Sequence, residues 1–231
     1  MTSVIDFKGT LISKEQLVSD VFLFSFKLDK YFCFKPGEFI LVKVDNGVEH
    51  KFKAYSVFSP PSQKECLDLC IKIIPDGFAS KIFDNAKIGV VFDMRGPFGD
   101  LVFDESDGNK NHFFVGVGSG VAPFHCMAKE FVKKYPDKNF KLLFGVKMRD
   151  ELVFHNFFLQ LDKDNDNFEY LPTLTREEWD GRQGRVQHHL GEDFSDTTFY
   201  LCGLKEMVLS TKNLLIEKGV EPKNIKYERY S

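Results

Sequence analysis

From Val21 to Leu28 the residues Val21, Leu23, Ser25 and Lys27 alternate with Phe22, Phe24, Phe26 and Leu28, so one face of the segment is apolar. That period of two is a strand's. Similar short runs recur at Val4 to Ile12, Phe39 to Val44, Lys53 to Phe58, Leu67 to Ile74 and Val90 to Met94, with Pro and Gly between them. Six closely spaced strands predict a small antiparallel barrel over residues 1–104, interrupted by one helix near Ala79 to Asp84. Glu105 to Asn111 is polar and aperiodic, and we place the domain boundary there.

Beyond it the period changes. Strands are predicted at His112 to Val117, Lys141 to Val146, Glu169 to Leu174, Thr198 to Cys202 and Ile225 to Tyr230. Helices are predicted at Pro123 to Lys134, Glu151 to Leu161, Val186 to Leu190 and Lys205 to Lys218. This βα alternation predicts a second domain, residues 111–231, with a five-stranded parallel sheet, Rossmann-like, covered by helices on both faces. Such sheets bind ligands at the carboxyl ends of their strands. The stretch HFFVGVGSGVAPF, His112 to Phe124, is apolar strand, glycine turn and helix start in one. Gly116, Gly118 and Gly120 let the backbone approach a ligand, and Pro123 suits a first helical turn. Position 121 is Val121 where the usual dinucleotide fingerprint has a third glycine, so the turn is a variant of that pattern, and alone it is compatible with any α/β protein.

With 43% hydrophobic and 28% charged residues the composition is that of an ordinary globular protein, and a net charge of -3 gives no sign of a nucleic-acid surface. No run reaches the length of a membrane span, and Asp6 and Lys8 break any secretory apolar segment, so the expected location is the cytoplasm. Five scattered cysteines disfavour a disulfide framework, and Cys66 with Cys70 are too few for a zinc or iron–sulfur site, so no metal is expected.

Candidate chemistry collects in short motifs. Lys53-Ala54-Tyr55-Ser56 presents a cation, an aromatic ring and a hydroxyl on a predicted strand, suited to a flat ring carrying a phosphate, or to nothing more than an exposed edge. Gly77-Phe78-Ala79-Ser80 precedes the barrel helix, where backbone N–H groups and the Ser80 hydroxyl can hold an anion or simply cap the helix.

In order along the chain, Pro36-Gly37-Glu38-Phe39, Lys53-Ala54-Tyr55-Ser56, Gly77-Phe78-Ala79-Ser80, Gly96-Pro97-Phe98-Gly99, Gly116 to Pro123, Leu174-Thr175-Arg176 and Cys202-Gly203 resemble the ferredoxin-NADP reductase family from end to end. Each motif is weak; seven in the right order are specific. The resemblance implies a flavin-binding barrel followed by a nicotinamide-nucleotide domain. In the family an R-x-Y-S motif binds FAD, the serine lying near the flavin N5. Tyr55 and Ser56 match it, but Lys53 stands in the arginine position, which leaves FMN open as the flavin. Contacts to the flavin are implied for Lys53, Ala54, Tyr55, Ser56, Ile71, Lys72, Ile73, Gly77, Phe78, Ala79 and Ser80.

For the nucleotide, NADPH or NADH, the resemblance implies Gly118, Ser119, Gly120, Val121, Ala122 and Pro123, with Cys202 and Gly203 beside the nicotinamide. Thr175, Arg176 and Arg185 lie where the family reads the adenosine ribose; two arginines there can clamp a 2′-phosphate, or be solvated loop charges. Gln187 is a further candidate contact. Near the end, Glu228 and Tyr230 match an acidic residue and an aromatic that covers the flavin, although Ser231 follows. Ser56, Cys202 and Glu228 are the expected catalytic residues.

The expectation is a flavin-dependent NAD(P)H oxidoreductase, as a monomer or as a subunit of a redox complex. The cysteine spacing does not suit a [2Fe-2S] cluster, so electrons are expected to go to a separate ferredoxin, flavodoxin or small molecule. The alternatives are a reductase that releases flavin as a product, an electron-transfer subunit, and a binding module that has lost the nucleotide.

Overall fold

The computed structural model describes residues 3–230. The first sheet comprises β1 (Ile5–Val18), β2 (Val21–Leu28), β3 (Phe39–Asp45), β4 (His50–Ser56), β5 (Cys66–Lys72) and β6 (Val91–Phe98), in the order β4-β3-β6-β1-β2-β5. Every pairing is antiparallel. The edge strands meet where Val57 bridges Leu69 and Phe58 N–H donates to the Asp68 carbonyl at 3.0 Å, which curls the sheet into a barrel. Phe24, Phe26, Leu11 and Ile40 fill it completely buried, and α1 (Phe78–Asn85) plugs one end with Phe83, stacked on Phe92 at 5.3 Å.

The second sheet contains β7 (Asn111–Val117), β8 (Asn139–Val146), β9 (Phe168–Leu174), β10 (Arg182–Gln183), β11 (Thr197–Leu204) and β12 (Ile225–Tyr230). The order is β10-β9-β8-β7-β11-β12, parallel throughout. The chain builds outward from β7 through β8 and β9, then crosses back to β11 on the other side of β7, so the order reverses there. A parallel sheet opens a ligand crevice at that reversal. The glycine turn, a 3₁₀ turn over Gly118–Val121, sits at this point and leads into α2 (Ala122–Phe131). The remaining helices are α3 (His155–Asp164) and α4 (Lys205–Glu217). No helix among the described residues is long and apolar enough to cross a membrane.

Three departures from the sequence reading have local causes. A sixth strand, β10, joins the five expected; at two polar, exposed residues it carries no hydrophobic period. The helix expected from Glu151 begins at His155, because Phe154 takes a left-handed conformation, φ 58°, that places its ring on Phe58 at 4.5 Å. The strand expected at Lys53 to Phe58 is shifted back to His50–Ser56, pairing residue by residue with β3.

The domains share one apolar cluster: Val21, Phe58, Cys70 and Leu101 from the barrel side pack with Phe124, Met127 and Phe144 of the nucleotide domain. His125 stacks on Phe58 at 3.8 Å, and the Cys126 thiol donates to the Ser59 carbonyl at 3.1 Å.

Candidate functional site at the domain junction

Ser56 ends β4 and is buried, while Glu228 and Tyr230 lie near the end of β12. The fold joins them. Ser56 Oγ donates to Glu228 Oε1 at 2.9 Å and shares a hydrogen bond with the Tyr230 hydroxyl at 2.8 Å. Cys202, fully buried in β11, is paired in register with Glu228, and its thiol interacts with the Tyr230 hydroxyl. Burial pushes the Cys202 thiol well above its ordinary value, so it stays neutral. Burial raises the Glu228 carboxyl to about 7, the Ser56 hydroxyl partly opposing the shift. This carboxyl changes charge near neutrality.

The flavin-motif residues divide in two. Tyr55 is half-buried, its ring edge-on to Phe83 at 5.4 Å, and burial raises its phenol far above the usual range. Lys53 and Ala54 are exposed on β4, which has no strand partner on its outer edge. Ile71 points into the barrel core, Lys72 is paired with Asp20 at 2.9 Å, and Ile73 N–H donates to the Asp20 carbonyl. This segment therefore offers a ligand backbone rather than side chains. At α1, Gly77 is the N-cap and no side chain caps the helix. Ser80 is buried and accepts the Ile74 N–H at 2.9 Å, which closes the preceding turn and leaves its own proton free to donate.

In the nucleotide domain, Gly118 is exposed with φ 54°, Ser119 is half-buried, and Val121, Ala122 and Pro123 are buried as core. A Cβ on Gly120 would lie 2.3 Å from the Cys202 carbonyl oxygen, so the absence of a side chain there lets the turn rest on β11 beside Gly203. Thr175 and Arg176 extend from β9, their N–H groups bonded to the Val146 and Lys147 carbonyls, and both are exposed, as is Arg185. The Gln187 amide is engaged by Ser210 and Thr211, tying its turn to α4.

Two features escaped the sequence reading. An open cleft of about 440 Å³ lies beyond β8 and β9, lined by Met148, Arg149, Asp150 and Glu177, with the Arg149 N–H bonded to Glu177 at 2.7 Å. Its position at carboxyl ends of parallel strands was the only available signal. The second is Gly99, φ 105°, where a Cβ would stand 3.0 Å from the Phe39 ring and 3.5 Å from Glu228 Oε2. Its place in Gly96-Pro97-Phe98-Gly99 marked a turn, not its contact with a residue 129 positions on.

Residues 8–103 match the family described as Oxidoreductase FAD-binding domain, and residues 114–213 the Oxidoreductase NAD-binding domain. The chain belongs to the ferredoxin-NADP reductase family. Among its relatives, the xylene/toluene monooxygenase electron transfer component XylA of Pseudomonas putida is 27% identical over 96% of this chain and 65% of its own length. Several relatives are thus considerably longer than this chain. Ferredoxin--NADP reductase B of Sorangium cellulosum is 28% identical over 87% of each chain. The structure of a ferredoxin NADP+ reductase from Neisseria gonorrhoeae with bound FAD and NADP superposes with a TM-score of 0.85 at 22% identity, covering 99% of both chains.

The junction fits a flavin. Among the described residues, Glu228 Oε2 is buried without a hydrogen-bond partner, beside Ser56 and under Gly99. Buried carboxylate oxygens ordinarily have partners, and a ring carrying N–H groups would supply one.

Proposed function

We propose that this chain is an FAD-dependent NAD(P)H oxidoreductase that delivers electrons to a separate acceptor. The observation that carries the reading is Ser56, at the end of a barrel strand, bonded to both Glu228 and Tyr230 from the last strand of the nucleotide domain. When bound, the flavin takes up a hydride from the nicotinamide and releases the electrons onward.

The protein's part is positioning and proton balance. Tyr55 and the edge of β4 would hold the ring and its side arm, with Ala54 allowing close approach, and the first turn of α1, Gly77 to Ser80, would receive phosphate. Gly118 to Pro123 and Gly203 would line the nucleotide, with Thr175, Arg176 and Arg185 at its adenosine end. Cys202, kept neutral by burial, would lie beside the nicotinamide and shape that end of the site. Tyr230, Ser56 and Glu228 form a hydrogen-bonded row in which Ser56 can accept from Tyr230 and donate to Glu228. With its carboxyl raised to about 7, Glu228 can hold or give up a proton at working pH.

XylA and the Sorangium reductase are described as an electron transfer component and a ferredoxin reductase, which supports an acceptor on another protein. A ferredoxin or a flavodoxin is the finer form of this reading. The visible spectrum of the purified protein, recorded without oxygen before and after NADPH or NADH, tests it. Flavin absorbance that bleaches within seconds is expected, with NADPH the faster. A colourless protein that nonetheless reduces added FMN would favour release of flavin as a product, the reading that Lys53 in place of arginine supports.

A further inference from the structure

Along β12 the residues Lys226, Glu228 and Tyr230 alternate with Tyr227 and Arg229, so they share one face of the strand. That face looks onto the apolar cluster shared by the domains: the register partners of Lys226 and Glu228 on β11 are Tyr200 and Cys202, both completely buried in it. β12 is the edge of its sheet, paired on one side only, so its position over the barrel rests on contacts made by this face.

Glu228 and Tyr230 make two of those contacts, on Ser56. Lys226 makes the third. Its ammonium donates to the Val102 carbonyl at 2.8 Å and stands 5.7 Å from the centre of the Tyr200 ring. Burial disfavours its charge, and Lys35 does so weakly, while the linker carboxylates of Asp104 and Asp107 favour it. A lysine with a free path to water extends into it. This one is instead held to a backbone oxygen by a charge-assisted bond.

Val102 lies three residues beyond Gly99, where a Cβ would stand 3.5 Å from Glu228 Oε2. The same barrel segment therefore approaches β12 at two points, Gly99 at Glu228 and Val102 at Lys226, about 7 Å apart along the strand. The segment is itself fixed to the barrel, since Leu101 between those points is completely buried and its carbonyl lies against Gly37, where there is no room for a Cβ. One contact leaves a strand free to pivot; two fix its line.

Resting on the flavin reading above, we propose that Lys226 is a positioning residue: by tying β12 to the Val102 carbonyl it holds the Glu228 carboxyl in its buried place beside Ser56. Loss of this tether and loss of the charge have opposite signs. Removing a nearby cation raises a carboxyl's midpoint, whereas releasing the strand lets water reach Glu228 and lowers it from about 7 towards 4.5.

The Glu228 carboxyl is followed by carbon NMR of flavin-free protein labelled in its glutamate side chains, from about pH 4 to about pH 9, its signal identified by its absence from E228Q. In K226M, which keeps an apolar stem against Tyr200, the midpoint is expected to fall by at least about one pH unit; in K226R, which can still donate, it stays where it is. K138M is the control. Lys138 binds the Asp107 and Asn109 carbonyls of the same linker at 3.0 and 2.8 Å, from the turn before β8 rather than from β12, so K138M leaves the Glu228 midpoint unchanged. In the flavin-loaded enzyme K226M lowers turnover about tenfold and changes the KM for NADPH by less than about twofold, and K226R restores turnover. A midpoint that does not move, one that rises, an equal fall in K138M, or turnover that survives the fall overturns the proposal. Should K226M fail to fold, as circular dichroism reports, K226Q, one bond shorter than lysine, takes its place under the same criteria. Failure of the natural sequence to bind flavin would bring down the functional reading, while the titration, made without flavin, would still decide the tether.

Discussion

Glu228 is the residue on which site chemistry and stability meet. Its carboxyl titrates at about 7 in the folded chain against 4.5 when solvated, because burial disfavours the charged form. The folded protein therefore binds the proton more tightly than the unfolded one, so this group's contribution is most favourable below pH 4.5 and is lost as pH rises towards 7. In flavin-free protein, E228Q should be more stable than the natural sequence at pH 8 by about 3 kcal/mol, and the gap should close as pH falls to 4.5. Urea unfolding at several pH values measures it. The same variant in the flavin-loaded enzyme should lower turnover by at least about tenfold and remove any pH dependence near 7. A variant with unchanged turnover would make Glu228 a packing residue. Gly99 belongs with it, since any Cβ there crowds the Phe39 ring and the carboxylate.

At the level of elements, alternate glycines in Gly116 to Gly120 announced a tight strand-to-helix turn, but not which glycine is pinned. The structure separates them. A Cβ on Gly120 meets the Cys202 backbone at 2.3 Å, whereas one on Gly118 meets nothing within 4 Å and bears only the strain of φ 54°. G120A should cost about 3 kcal/mol in chemical denaturation, as forced overpacking against backbone does, and G118A about 1 kcal/mol. Equal costs would mean that the turn has slack against β11. The same contrast governs what was legible. Two elements with a clear period, β2 at Val21–Leu28 and β12 at Ile225–Tyr230, coincide with their expected spans, whereas β1, expected at Val4 to Ile12, runs on to Val18 as the long partner of β2. The start of α3 does not coincide either, because its Phe154 obeys a long-range stack with Phe58 rather than a local propensity. The site was legible as motifs, such as Tyr55-Ser56 and Cys202-Gly203. The links between them, Ser56 to Glu228 across 172 positions or Gly99 to the same carboxylate, exist only once both domains are built.

For the whole molecule, the question is how firmly the two domains are joined, since Ser56 and Glu228 reach each other only across that joint. His125 is central to it, flat on Phe58 at 3.8 Å and near Phe154 and Phe157, with its Nδ1 3.4 Å from the Phe58 carbonyl. Burial lowers its imidazole to about 3, and lowers His112, a buried residue of β7 in the second sheet, to about 4. Both are neutral at physiological pH. The unfolded chain takes up protons at these sites below 6.5 where the folded one does not, so the stability they confer is complete above 6.5 and drains away as pH falls. This opposes Glu228, whose contribution improves on acidification, and with two histidines against one carboxyl the molecule should lose stability below about pH 6. H125F preserves a flat ring in the stack and removes the titration. At pH 7.5 its stability should lie within about 1.5 kcal/mol of the natural sequence, the range for a swap of similar volume. At pH 5 it should exceed the natural sequence by about 2 kcal/mol relative to that baseline, from the proton the unfolded histidine can no longer bind. Urea titrations at the two pH values give both numbers. An H125F curve that falls in parallel with the natural one would place acid sensitivity at His112 and leave the domain joint insensitive to pH.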